Sequence, residues 1–290
     1  MLPEKHPFYE RLFMRVSFAW MVFASTPITL TVNSLPAPNG IARLIDLRFL
    51  TDADWLTACR LALLVALGLY IVRILLWLAL PVALFVNVAV NAVENSQGAI
   101  HHVAQIVSLV LLVQTAAHYY DLLLGGPGAR ADAELEERQI SWSQQAIAAT
   151  YFVAGLTKVI ATHATWMYRA RFLGVQLFKT AYQVYYDHLD PAGLHRHVAI
   201  AQFAAAHGTL IALIAGTGLV LELLAPLMLL GRVWGLVLGC GFVAFHSSIE
   251  ALMQLDFMFY ALSVLIFIVS PIYWVVRVVQ RIGRATSDDR

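Results

Sequence analysis

A single lysine interrupts an apolar stretch that otherwise has the composition of a membrane helix. The stretch is YFVAGLTKVIATHATW, residues 151–166, and the lysine is Lys158. Ala154 and Gly155 precede it by one turn and Tyr151 by two turns, so all four lie on roughly one helical face. Small residues there let a neighbouring helix or a flat ligand approach closely. Because burial disfavours an ammonium, we expect Lys158 to be neutral and to act as a general base; the alternative is a lysine that extends to the membrane interface.

Histidine and glutamate supply the other candidate groups. His246 and Glu250 lie four residues apart in HSSIE, on one helical face, where they could share a proton or a ligand or simply bond to each other. They lack a third metal ligand, so we expect no metal site. His101 and His102 point about 100° apart on a helix, so at most one faces a common pocket, and we favour His101. Glu222, in another apolar stretch, either pairs with a buried group or has a structural role.

The composition places these residues in a membrane. Hydrophobic residues make up 60% of the 290 residues, charged residues make up 13%, and the mean hydropathy is +0.72. These values exclude an ordinary soluble domain. The formal net charge is +1 and no basic stretch is dense, so we expect no nucleic-acid partner. The partner that the composition predicts is the lipid bilayer.

The apolar segments predict an all-α integral membrane protein that forms a single domain over residues 1–290. We expect about eight transmembrane helices, with a tight hairpin at Tyr70–Arg73, at 16–33, 56–72, 74–93, 102–124, 140–161, 199–230, 233–253 and 255–276. Residues 166–186, rich in Trp and Tyr, predict an amphipathic helix in the interface. The acidic segment 125–139 predicts a solvated loop. An excess of Lys and Arg in the corresponding loops places both termini in the cytoplasm, and the expected location is the bacterial inner membrane.

Three segments resemble, in order, the horizontally transferred transmembrane (HTTM) family, which includes the vitamin K-dependent gamma-carboxylase. YFVAGLTKV with the following Trp166 resembles the family's tyrosine, Ala-Gly, lysine and tryptophan signature. LELLAPLMLLGR (221–232) resembles its glutamate-bearing helix, and FHSSIEALMQLDFMFYALSVLIF (245–267) its final histidine-containing hairpin. The resemblance covers nearly all of the chain.

The resemblance implies that Lys158 is the base that deprotonates a vitamin K-like hydroquinone, after which O2 and CO2 react. His101 falls near the position of a functional histidine of the family. Thr165 replaces the family's acidic residue before the tryptophan, and Trp166 lies farther from the lysine than in the carboxylase. We expect the chain to lack the large domain with which the carboxylase engages a peptide, so peptide carboxylation is not inferred.

Three functions follow as hypotheses. The first is a carboxylase-like membrane enzyme, a lyase that uses a quinol or another hydrophobic lipid ligand. The second is a non-catalytic immunity or binding protein, and the third is a small-molecule transporter, which should show broken helices. For the enzyme, the expected catalytic residues are Lys158, His101 and His246, and the expected pocket residues are Tyr151, Gly155, His102, Glu250, Trp166 and Glu222.

Overall fold

The structure is a computed structural model that describes residues 5–27, 30, 34–98, 100, 102–124, 132–253 and 255–288. The regular secondary structure of this part of the chain is helical throughout. In chain order the α-helices are α1 (Phe8–Ala24), α2 (Ala53–Val72), α3 (Leu76–Glu94), α4 (Gln105–Leu124), α5 (Asp132–Ala161), α6 (Trp166–Ala170), α7 (Leu173–His188), α8 (Pro191–Ala206), α9 (Gly208–Leu224), α10 (Arg232–Met253), α11 (Met258–Val264) and α12 (Pro271–Asp288). Short 3₁₀ turns lie at Gly40–Arg43, Arg48–Thr51 and Ala225–Leu230, and a π-helical turn at Leu265–Val269.

The chain packs as two compact units, and the prediction of one domain stays a prediction. The first unit contains Met1–Ile147 and Leu265–Arg290, and the second contains Ala148–Val264. Helix α5 belongs to both, because its first turns lie in the first unit and its last turns in the second. Each contact described below joins residues of the same unit.

Five helical segments of the described residues are long and apolar enough to cross a membrane. They are α2, α3, α4, α10, and α9 with its 3₁₀ extension, which together run from Gly208 to Leu230. A sixth follows if Met258–Val269 and Pro271–Ile282 are counted as one broken span. The chain is therefore compatible with a multi-pass integral membrane protein.

Four of the eight predicted spans coincide closely with these helices: 56–72, 74–93, 102–124 and 233–253. The predicted hairpin after the first of them is also present. Arg73 adopts a left-handed conformation with φ 61°, and its N–H bonds to the carbonyls at the end of α2. This turn reverses the chain, and α2 and α3 pack against each other.

The other four predicted spans differ from the structure in their limits. Helix α1 ends at Ala24 instead of continuing to residue 33; residues 28, 29 and 31–33 lie outside the described residues. The predicted helix 199–230 is divided at His207, which has non-helical angles and bonds through Nδ1 to the Phe203 carbonyl at 2.9 Å. The helix predicted at 255–276 breaks at Ser270, where φ is 49° and Pro271 follows. The span at 140–161 is part of the longer α5, which Gln144, Gln145 and Lys158 make less apolar.

The acidic segment 125–139 is predicted to be a solvated loop; residues 125–131 lie outside the described residues, and the prediction is wrong for residues 132–139. These residues form the first two turns of α5, and Glu136 is only 4% exposed. Its carboxylate lies 2.9 Å from Arg11 Nε and 2.7 Å from Arg15 Nε, both on α1. Opposite charges on two different helices offset the cost of burial, and sequence patterns along one helix do not reveal such pairs.

The predicted interfacial helix at 166–186 is divided into α6 and α7, with the break at Arg171–Phe172. Helix α7 is amphipathic: Leu177 and Ala181 are buried on one face, whereas Tyr186 is 72% exposed. The buried face packs on α8, where Ala201 and Ala204 complete a small apolar core. The position of α7 at a membrane interface stays a prediction.

Candidate functional site

Lys158 has an acidic partner from another helix of the second unit. Its Nζ lies 2.5 Å and 2.7 Å from the two carboxylate oxygens of Glu222 on α9. The lysine side chain is 32% exposed and that of Glu222 is 7% exposed. Lys158 Nζ also lies 5.3 Å from the ring centre of Trp166. The acidic partner of Lys158 is 64 residues away along the chain, on another helix, and the expectation that Lys158 is neutral and acts as a base stays a prediction.

Gly155 allows this contact to form. A Cβ at this position would lie 2.9 Å from Glu222 Cβ and 3.3 Å from the backbone nitrogen of Leu223. Only a glycine tolerates such a close approach of the α9 backbone. The space that the small residues of α5 provide is thus occupied by a neighbouring helix, which was one of the two expected occupants. One turn later on α5, Lys158 meets the carboxylate that this helix carries.

Tyr151 and His246 form a second polar pair in the same unit. The Tyr151 hydroxyl lies 2.8 Å from His246 Nε2, and it also donates to the Tyr260 carbonyl at 3.3 Å. Tyr151 is 3% exposed and His246 is 5% exposed, so both are fully enclosed by protein. Tyr151 precedes Lys158 by seven residues on α5, which corresponds to about 10 Å along the helix axis.

Aromatic rings surround the histidine. The Phe257 and Phe242 rings lie within 25° of parallel to the imidazole, at 5.3 Å and 6.5 Å between centres. Phe245 packs at 5.6 Å, and Gly218 of α9 makes space for it, since a Cβ there would overlap the phenyl ring. These rings form an apolar enclosure in which a polar atom strongly needs a hydrogen-bond partner.

One such atom is the second ring nitrogen of His246. His246 Nδ1 is buried and makes no hydrogen bond to any of the described residues. A buried unsatisfied nitrogen costs about 1–3 kcal/mol, so native structures normally supply water, an ion or a ligand group to it. Nδ1 is accordingly the atom of this site that is best suited to bind a polar group from outside the chain.

The predicted sharing of a proton between His246 and Glu250 is wrong. The hydrogen bond of His246 goes to Tyr151, whereas Glu250 is exposed on α10. The described residues contain no group of three or more His, Cys, Asp and Glu side chains that could hold a metal ion. The absence of a bound metal stays a prediction.

The paired histidines before α4 are the remaining predicted site residues. His101 lies outside the described residues, and His102 is an exposed residue of the first unit. Their predicted role at the site of Lys158 stays a prediction.

The aromatic residues around His246 were not predicted from the sequence as part of the site. Phe242 lies one turn before His246 on α10, and Phe257 and Tyr260 lie just beyond the end of that helix. The density of aromatic residues in HSSIEALMQLDFMFY was the available signal. Apolar rings are so common in membrane helices that their spacing alone does not indicate a site.

The site therefore combines a lysine–glutamate pair with a tyrosine–histidine pair, both positioned by α5. Each pair contains a group that can donate a proton and a group that can accept one. Comparison with protein-family models, curated proteins and solved structures found no match. The geometry of the four side chains thus carries the functional interpretation, and the resemblance to the HTTM family stays an expectation.

Proposed function

We propose that this chain is a multi-pass membrane enzyme in which the Lys158–Glu222 pair transfers a proton to or from a hydrophobic, quinol-type ligand in carboxylase-like chemistry. The observation that carries the proposal is the bonding of one amine to both oxygens of a carboxylate that is almost fully buried. Ionisable groups in membrane helices are costly, and they mark functional sites more often than structural ones.

The pair acts as one proton-binding unit. With one proton shared between amine and carboxylate, it can accept a second proton, after which both the ammonium and the carboxyl group are protonated. Because the amine and the carboxylate are in direct contact, the base is the pair and not the lysine alone. Glu222 also holds the amine in place, since its two oxygens fix Nζ on the side of α5 that contacts α9.

The groups present suit a flat ring that carries hydroxyl groups. Lys158 is partly exposed beside Trp166, and His246 Nδ1, which has no partner among the described residues, can form one hydrogen bond with a ligand. A reduced quinone would supply hydroxyl protons and the electrons for reaction with O2, with CO2 as the further reactant of a carboxylation. Tyr151 orients the imidazole through Nε2, so that Nδ1 is left for the ligand. A peptide substrate is not part of the proposal.

The finer membrane arrangement belongs to the same proposal. Eight spans with both termini in the cytoplasm of the bacterial inner membrane place Ala133 inside and Asp190 outside, and both residues are exposed. Single cysteines at these positions, labelled in intact cells with an impermeant maleimide, test it. Labelling of A133C but not D190C would reverse the orientation.

The experiment on function starts with the lipids that copurify with the protein. Mass spectrometry of the organic extract should identify a quinone, and anaerobic reduction followed by O2 should then consume the quinol. Lys158→Met, Lys158→Arg and Glu222→Gln should each abolish this consumption, because arginine keeps the charge but does not release its proton near neutral pH. Lys179→Arg, an exposed lysine on α7, is the matched control and should keep full activity.

A non-catalytic binding protein is the second candidate, and the same ion pair favours it. Both contacts of Lys158 with Glu222 join α5 to α9, which is also what a purely structural pair would do. Under that function Lys158→Arg keeps the pair and the biological activity. Retention of activity by this variant, together with the absence of a bound quinone, would reject the enzyme.

A further inference from the structure

A groove in the first unit lies between α3 and α4, and it is independent of the lysine site. It encloses about 600 Å³ and is open on one side. Leu84, Phe85 and Val88 of α3 form one wall, and Leu109 and Leu112 of α4 form the other. The volume falls within the range of about 300–1,000 Å³ that is typical of ligand sites.

The lining of the groove is suited to a hydrocarbon chain. Ser108 is the one polar side chain among the described lining residues, and its hydroxyl already donates to Asn87 Oδ1 at 2.7 Å. From Pro81 to Val88 the wall on α3 extends over seven residues, or about 10 Å along the helix axis. No group in this lining is free to bind a polar ligand, so the part of a ligand that lies here must be apolar.

A turn that carries a cation forms part of the lining near the C-terminal end of α3. Ile41 and Ile45 line the groove, and Arg43 lies between them in sequence. The turn is attached to the C-terminal end of α3, where Asn39 N donates to Ser96 Oγ at 2.9 Å.

The Arg43 guanidinium is available to an anion. Its Nε donates to the Pro38 carbonyl at 3.0 Å, which holds the side chain in place. No carboxylate among the described residues forms an ion pair with it. Arg48, in the same loop, contrasts with it because it bonds to Asp46 at 2.6 Å. An exposed guanidinium on a residue between two isoleucines of an apolar lining is complementary to a phosphate that is joined to an acyl chain.

We propose that this groove is a binding site for one anionic phospholipid, with an acyl chain between α3 and α4 and the headgroup phosphate on Arg43. The occupant is a phospholipid and not a second copy of the chain, since an apolar lining is combined with a cation two residues from the lining Ile41 and Ile45. It is also distinct from the ligand of the lysine site, because the groove lacks groups that exchange protons.

Native mass spectrometry of the purified full-length chain tests the site. The probes are phosphatidylglycerol and diacylglycerol with the same acyl chains, which differ in the phosphate headgroup. The wild-type chain should retain phosphatidylglycerol about tenfold more strongly than diacylglycerol, the effect of one charge-assisted contact. Arg43→Gln should abolish this difference, and Arg48→Gln, the matched control, should keep it.

A bulky residue in the groove tests the position of the acyl chain. Leu84→Trp should lower retention of both lipids. If this variant does not fold, Leu112→Trp, at an exposed position of the other wall, replaces it and should have the same effect. Equal retention of the two probes by the wild-type chain would overturn the proposal, as would an unchanged preference in Arg43→Gln. Wild-type retention by a folded tryptophan variant would also overturn it.

Discussion

Replacing Gly155 with alanine tests the close approach of α5 and α9 that positions the lysine–glutamate pair. The new Cβ would lie 2.9 Å from Glu222 Cβ, an atom next to the backbone that cannot rotate away. Helix α9 must therefore shift. The cost of such overpacking is about 1–3 kcal/mol. Alanine also stabilises a helix relative to glycine by about 0.5–1 kcal/mol, so the net destabilisation of the variant is smaller than the steric cost.

Gly68→Ala is the control that separates these two contributions. Gly68 lies within α2, and a Cβ there would meet no atom within 4 Å. Its substitution should give the helix-propensity gain alone, about 0.5–1 kcal/mol of added stability. The difference between the two alanine variants then equals the steric cost at Gly155, about 1–3 kcal/mol. At roughly 2–4 °C per kcal/mol, their thermal-unfolding midpoints should differ by about 2–12 °C.

The assay is thermal unfolding of both variants in one detergent, followed by intrinsic fluorescence. Gly155→Ala should also reduce quinol consumption, because displacement of Glu222 lengthens its contacts with Lys158, whereas Gly68→Ala should not. If both substitutions raise the midpoint by the same amount, α5 and α9 do not approach each other as described, and the argument for a positioned ion pair is wrong.

Two further predictions concern other polar contacts. Tyr151→Phe removes the hydroxyl that bonds to His246 Nε2 and should destabilise the protein by about 1–3 kcal/mol, measured by denaturant titration, whereas Tyr120→Phe on an exposed ring should have little effect. The hydrogen bond from Arg73 lowers the pKa of Asp132 below its ordinary value, so this contact stabilises the first unit above about pH 4 and is lost as the pH falls through the lowered pKa. Asp132→Asn should therefore lower the unfolding midpoint at pH 6 but not at pH 2; a constant deficit at both would contradict the assignment.

The sequence by itself indicated helices apolar enough to cross a membrane and predicted the position of four of them closely. The predictions at 56–72, 74–93, 102–124 and 233–253 agree with the structure because an apolar stretch of sufficient length is a local property of the chain. It also singled out Lys158, since one amine within an apolar run is visible without any knowledge of neighbours. Both kinds of inference depend only on residues that are close in sequence.

The ends of the helices were harder to predict from the sequence. The breaks at His207 and Ser270 occur within stretches that are apolar enough to continue, and each depends on backbone angles that hydropathy does not encode. The acidic turns before residue 140 appeared solvated, because their partners Arg11 and Arg15 lie more than 100 residues earlier. Charge alone does not distinguish a solvated carboxylate from one that is buried against a distant arginine.

The identity of each polar partner was decided only by the tertiary structure. Glu222 lies 64 residues from Lys158, and the two meet because Gly155 lets the α9 backbone approach α5. His246 bonds to Tyr151, 95 residues away, although Glu250 lies one turn from it on the same helix. The sequence shows which side chains are able to exchange protons. Their pairing depends on which helix faces pack together, and the packing of helix faces is set by side-chain volumes along the whole interface.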